Sequence, residues 1–357
     1  MAKSKLALGL DIGSSSVKLV QLKEAKRGYV LEAFGVAALP PEAIVDGALM
    51  NSTAIVEAIR GLVSQYKMKN REAAIGVSGH SVIIKKISMP KMTQEELEES
   101  IQWEAEQYIP FDVKDVNIDV QILTPPDMDT GTGQMDVLLV AAKKDMINDY
   151  TSVVSEAGLT PVVVDVDAFA VQNSFEVNYD LPRNETVVLV NAGASVININ
   201  VLANGLTTFT RDVTMGGNQF TEEIQKQLNV SYEEAEALKI GGGRSESDAV
   251  VPQEVERVMA GVAEQVAGEI QRSLDFYAGT AADTKFSKVY LSGGTAKIPA
   301  LFKTIEARVG VPVEIANPFK NVIIDSRRFD PGFIMDVAPM AAVAVGLALR
   351  RPGDKLV

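Results

Sequence analysis

Two runs of small residues have the composition to hold phosphate. The first, Leu8-Gly9-Leu10-Asp11-Ile12-Gly13-Ser14-Ser15-Ser16-Val17-Lys18, takes an apolar strand into a glycine and three serines before apolar alternation resumes. The second, Val188-Leu189-Val190-Asn191-Ala192-Gly193-Ala194-Ser195-Val196-Ile197-Asn198, repeats that plan 180 residues later. Glycine lets a backbone come close enough for its N–H groups to meet phosphate oxygens, and hydroxyls add donors. One Gly-Ser hairpin is usually only a hairpin. Two of them, each heading one half of the chain, predict a duplicated fold gripping one nucleotide between its halves.

Other chemistries are narrowed by what the chain lacks. Its 357 residues suffice for about two domains, and 46% apolar with 23% charged residues is an ordinary globular composition. A net charge of −13 leaves no basic stripe for nucleic acid. The absence of cysteine excludes disulfides, iron–sulfur clusters and thiolate zinc, and fits the cytoplasm. His80 is the only histidine; its setting, Ser78-Gly79-His80-Ser81, reads as a plain turn. The first residues lead directly into a strand without the apolar core of a signal peptide. The longest apolar stretch, Val337 to Leu349, is shorter than the ~20 residues of a bilayer span and contains Pro339 and Gly346. Membrane association is therefore expected only through a partner.

The elements that must position these turns are legible in outline. Residues 6–38 predict a three-stranded meander turning at Lys26-Arg27-Gly28, followed by a helix near Ser52–Tyr66 and a strand at Ala73–Val77. A different pattern begins at Val82–Ile87. Thr93 and Glu96 form a capping box for a helix rich in glutamate, read as a solvated face. Strands at Val116–Leu123 and Met135–Ala142 flank a loop, Thr124 to Gly133, expected to be mobile. A helix reaching Gly158 and a strand at Pro161–Asp165 close an α+β insert. Trp103 and Phe111 are candidates for its contact surface, although tryptophan is more often core. Beyond Leu181-Pro182 the meander repeats through Arg211. Then come Met215-Gly216-Gly217 at a helix start, a helix after Ser231, a long helix over Pro252–Tyr277, strand Val289–Leu291, and a final helix over Pro339–Leu349.

Five segments, taken in order, are Asp11–Ser16, Asp165–Val171, Asn191–Ser195, Ser292-Gly293-Gly294-Thr295 and Ala341–Gly346. Together they resemble the phosphate, connect and adenosine signatures of the actin/Hsp70/hexokinase superfamily. The resemblance implies an α/β, actin-like ATPase fold: two RNase H-like lobes with an FtsA-type inserted α+β subdomain. The first lobe would comprise 1–82 and 165–182, the insert 83–164, and the second lobe 183–357, with a subdomain at about 216–284. ATP and Mg²⁺ would be the cofactors. Asp11 would hold a water of the Mg²⁺, as suits a hard cation that keeps most of its waters. Gly13, Ser14, Ser15, Ser16 and Lys18 would face the phosphates, as would Asn191, Gly193, Ala194, Ser195, Gly216 and Gly217. Gly293, Gly294 and Thr295 would pack on adenosine. Glu236 and Lys239 would reach the ribose; read alone, their i, i+3 spacing is that of an ordinary surface ion pair. Asp167 and Asp165 are the catalytic candidates, and either could instead cap the following helix. Asn191 stands where efficient hydrolases of the superfamily carry aspartate. An amide offers no base and no charge, so hydrolysis is expected to be slow at best.

Within the superfamily the chain is similar to the PilM family of type IV pilus assembly proteins. The similarity is carried by Gln107-Tyr108-Ile109-Pro110-Phe111, Val164-Asp165-Val166-Asp167-Ala168-Phe169-Ala170 and Glu269–Tyr277. It implies a cytoplasmic scaffold, peripheral at the inner membrane, that binds the N-terminal peptide of a PilN-like bitopic protein. It further implies contacts with the motors PilB and PilT and the platform protein PilC, and assembly as a ring. An FtsA-like polymerising protein of the divisome and a small-molecule kinase are the alternatives. FtsA ends in an amphipathic membrane helix, whereas Arg350 to Val357 is too short and proline-broken to form one.

Overall fold

The computed structural model describes residues 5–124, 131, 133–180, 184–241, 253–280 and 285–354. The meander forms as expected from β1 (Leu8–Ile12), β2 (Ser16–Glu24) and β3 (Tyr29–Ala38). A short pair, β4 (Ile44–Val45) and β5 (Ala48–Leu49), leads into α1 (Ser52–Gln65), capped by the Asn51 side chain. Ile55, Ile59, Leu62 and Val63 form its buried stripe, at the spacing an amphipathic helix requires. β6 (Glu72–Val77) then runs parallel to β1.

The insert consists of β7 (Val82–Pro90), α2 (Gln94–Glu104), β8 (Val116–Ile122) and β9 (Gln134–Lys143), with strand order β7-β9-β8. Thr93 and Glu96 make the expected capping box, and the glutamates of α2 are exposed. Leu97 and Ile101 anchor the helix over Ile87, Val120 and Leu139. Trp103, on the other side of α2, is 79% exposed and is not core. α3 (Lys144–Glu156) departs from the expected division. Tyr150, Val153 and Val154 pack with Ile55 and Ile59, so this helix belongs to the first lobe and the insert ends near Lys143 rather than at 164. β10 (Thr160–Val166) pairs with β6, and α4 (Asp167–Asn178) follows it.

The second half repeats the plan. β11 (Thr186–Ala192), β12 (Ile197–Ala203) and β13 (Leu206–Val213) form a meander, followed by α5 (Gly217–Leu228) and α6 (Tyr232–Lys239). α7 (Gln253–Thr280) lays Val255, Val262, Val266, Ile270 and Leu274 into the core. β14 (Phe286–Ser292), α8 (Pro299–Val309) and β15 (Val313–Ile315) complete the unit. Its strand order, β13-β12-β11-β14-β15, matches β3-β2-β1-β6-β10 of the first. In both sheets two antiparallel pairings are followed by two parallel ones.

The last stretch does not stay with the second lobe, contrary to the expected 183–357 unit. β16 (Val322–Ile323) pairs with β3 at the edge of the first sheet. Around it Phe319, Ile334 and Val345 cover Val20, Leu31 and Phe34, an apolar sheet face that would otherwise meet water. α9 (Pro331–Val337) and α10 (Ala342–Leu347) end the fold. The final helix is shorter than expected because Ala338–Ala341 forms a 3₁₀ turn at Pro339. The expected loop at 125–130 and 132, the boundary at Leu181-Pro182, the helix start at Pro252 and the tail from Lys355 lie outside the described residues. Among the described residues no helix is long and apolar enough to cross a membrane.

Candidate nucleotide site

The two small-residue turns share one geometry. Gly13 N–H donates to the Ser16 carbonyl at 3.2 Å, and Gly193 N–H donates to the Val196 carbonyl at 3.0 Å. Asp11 pairs with Lys18 across the first hairpin as Asn191 pairs with Asn198 across the second. Both turns open onto one cleft of about 1040 Å³, which also gathers Gly217, Glu236, Lys239, Gly293, Gly294 and Thr295. Gly13 and Gly193 line the cleft, and each gives its N–H to its own turn. Ser14, Ser15, Ala194 and Ser195 also line the cleft.

Two of the expected nucleotide contacts, Ser16 and Gly216, are absent from the wall. Ser16 is buried, and its carbonyl receives both Gly13 N–H and Lys18 Nζ. Gly216 caps α5 against the second turn, where a Cβ would lie 2.4 Å from the Gly193 carbonyl oxygen. Both shape the site from behind.

Lys18 is not a solvated lysine. Its Nζ lies 3.3 Å from Asp11 Oδ2, with both side chains nearly buried. Glu236 and Lys239 are likewise more than a surface pair. Lys239 is paired with Glu236 and donates to Thr221 Oγ1 at 2.8 Å, tying α6 to α5. Thr295 Oγ1 donates to the Gly193 carbonyl at 2.7 Å, fastening the turn after β14 to the second hairpin.

The two aspartate candidates separate. β10 ends at Val166 and α4 begins at Asp167, so the backbone changes period between them. Asp167 lines the cleft. Burial and the neighbouring Asp11 push its carboxyl up to about 7, against the opposing Ser78 hydrogen bond and Lys18 charge. A carboxyl poised there matches proton transfer at neutral pH. Asp165 does not line the cleft, contrary to expectation. It is 5% exposed, lies 3.4 Å from Arg350 Nε, and accepts from Val166 N–H. Burial raises its carboxyl, and Arg350 opposes that rise.

His80 sits in its expected turn, at the cleft wall. Asn198, Asn218, Ser78 and Gly79 also line the cleft and were not anticipated. Asn218 Nδ2 donates to Ser195 Oγ at 3.0 Å. The available signal for Asn198 was an asparagine within an otherwise apolar strand, since a buried amide requires partners.

A family model for the type IV pilus assembly protein PilM matches residues 9–352. A solved PilM-PilN type IV pilus biogenesis complex contains a chain 30% identical, with a TM-score of 0.87 over 98% of this chain and 99% of that one. Cell division protein FtsA of Enterococcus hirae is 24% identical over 89% of this chain and 79% of its own length. FtsA of Bacillus subtilis is 25% identical over 67% of this chain; the match spans 58% of that relative's length. The ethanolamine utilization protein EutJ from Carboxydothermus hydrogenoformans, 16% identical, has a TM-score of 0.58 over 97% of this chain and 90% of its own, a likeness of fold alone. The chain belongs to the family of type IV pilus assembly proteins PilM and has its mixed α/β, actin-like fold.

Proposed function

We propose that the chain is an ATP- and Mg²⁺-binding scaffold of type IV pilus biogenesis. Its two RNase H-like lobes clamp one nucleotide. The first lobe and the insert together offer a groove to the N-terminal segment of a PilN-like bitopic protein. Through that partner the protein works at the cytoplasmic face of the inner membrane. There a ring of copies links the alignment complex to the motors PilB and PilT and the platform protein PilC.

The observation that carries the nucleotide reading is the convergence of two matching hairpins and the Gly293-Gly294-Thr295 turn on one cleft. The donor set suits the ligand. Asp11 offers oxygen to the waters of a hard cation, Lys18 brings positive charge beside it, and Ser14, Ser15, Ala194 and Ser195 offer amides to phosphate. The bound Mg²⁺ would supply charge neutralisation at the phosphates. Asn191 adds no charge, so turnover falls well below the ~10 s⁻¹ of a typical enzyme.

Calorimetry with Mg-ATP, then with a synthetic N-terminal peptide of the PilN-like protein, tests both halves. Saturable heats are expected in each titration. No heat with Mg-ATP removes the nucleotide clamp, and no heat with the peptide removes the docking role.

A further inference from the structure

Polar groups run in single file from the cleft to the edge strand of the second sheet and on to the turn after β6. Asn191 Nδ2 donates to Asn198 Oδ1 at 2.9 Å. Asn198 Nδ2 donates to Asp212 Oδ1 at 2.8 Å. The Gly79 backbone N–H, from the first lobe, donates to Asp212 Oδ2 at 2.6 Å. The three side chains are neighbours across β11, β12 and β13. At the cleft end Ser292 Oγ stands 3.4 Å from Asn191 Oδ1. Asn198 is 3% exposed, so a lost partner there is costly.

The direction of this chain is set at one end. A carboxylate accepting at both oxygens has no hydrogen to give. Asp212 therefore obliges Asn198 to present its NH₂ outward and its oxygen toward Asn191. Asn191 must answer with its own NH₂, which places its oxygen on the Ser292 side. Flipping either amide would set two oxygens, or two NH₂ groups, against each other.

We propose that Asp212, itself outside the cleft wall, is the positioning residue that fixes how Asn191 meets the nucleotide and latches that setting to Gly79. The Gly79 turn joins β6 of the first lobe to β7 of the insert, and β13 packs against β7. A nucleotide that shifts Asn191 is thereby felt where the insert leaves the first lobe. The nucleotide part rests on the function proposed above; the direction of the hydrogen bonds does not.

A double-variant cycle in nucleotide-free protein reads the relay. Asn191→Asp sets an acceptor against Asn198 Oδ1, and Asp212→Asn supplies a donor at the other end. Combined, they reverse both side-chain bonds while Gly79 still finds an oxygen. N191D is expected to lower the urea midpoint, and N191D/D212N to recover about half of that loss or more. N191D/D212A removes the same charge without supplying a donor and should recover none. Equal recovery in both double variants, or none in N191D/D212N, overturns the relay.

Two further readouts test the latch and the positioning. In D212A the Gly79 amide hydrogen should exchange about tenfold faster, and an unchanged rate overturns the latch. D212N keeps a complete but reversed relay, so its urea midpoint should hold while Mg-ATP affinity falls about fivefold, the scale of one hydrogen bond. Unchanged affinity overturns the positioning role. Wild-type protein giving no heat with Mg-ATP overturns the proposed function and the positioning role with it, whereas the nucleotide-free cycle judges the relay alone.

Discussion

Gly346 on α10 approaches Ala170 on α4 so closely that a Cβ at 346 would lie 1.7 Å from the Ala170 carbonyl oxygen. The obstacle is backbone, which no rotamer change can relieve. Gly346→Ala should therefore lose ~1–3 kcal/mol or more of stability in urea unfolding. Gly61→Ala serves as the control. Gly61 is exposed within α1 with nothing within 4 Å of the added carbon, and alanine there should gain roughly 0.5–1 kcal/mol from helix propensity. Equal effects at the two positions would refute close helix contact as the reason for glycine at 346.

Asp167 gives the apo protein a distinctive pH dependence. Its folded value of about 7 lies above the ordinary 3.8. Below 3.8 both folded and unfolded chains hold the proton. Between 3.8 and about 7 the unfolded chain has released it while the folded chain has not, so stability falls as pH rises. Asp167→Asn removes that slope. In EDTA and without nucleotide, the variant's urea midpoint should gain on wild type steadily from mildly acidic pH to about pH 7 and then level off. Parallel curves would mean that Asp167 titrates normally.

Asp11 and Lys18 should separate by their response to magnesium. Asp11→Asn keeps an acceptor but removes the charge beside the phosphates. With Mg²⁺ present, ATP affinity should fall about tenfold; in EDTA it should hold or rise, because repulsion between carboxylate and phosphate is relieved. Lys18→Met should weaken binding under both conditions. Matching losses for the two variants with and without magnesium would contradict a cation role for Asp11.

The sequence disclosed those parts of the protein whose cause is local. Asp11–Ser16 and Asn191–Ser195 are visible because a glycine turn between apolar strands has a composition of its own. The stripe on α7 is visible because burial imposes a 3.6 period. The placement of β16 was hidden, since Val322 finds its partner in Tyr29, nearly three hundred residues earlier. The same holds for α3, whose apolar face suits either the insert or the first lobe; only packing against Ile55 and Ile59 decides it. Asp165 remains a second candidate beside Asp167 in the sequence, because two carboxylates two residues apart are told apart only when a strand ends between them. Asp212 carried no signal at all, because its role depends on the direction of hydrogen bonds spanning three strands.

Trp103 supplies a last test, because it is the sole tryptophan and stands 79% exposed on the insert. Its emission should lie near that of tryptophan in water and be readily quenched by iodide or acrylamide in native protein. Trp103→Ala should change stability by no more than about 0.5 kcal/mol, as surface substitutions do. Leu97 sits on the same helix but is fully buried at 0% exposure against the insert's sheet. Leu97→Ala should cost ~2–5 kcal/mol through lost burial and the cavity left behind. The contrast assigns the two faces of α2: one holds the helix to β7, β8 and β9, and the other places the aromatic ring in solvent. A blue-shifted, unquenchable emission, or a Trp103→Ala loss as large as that of Leu97→Ala, would reverse the assignment.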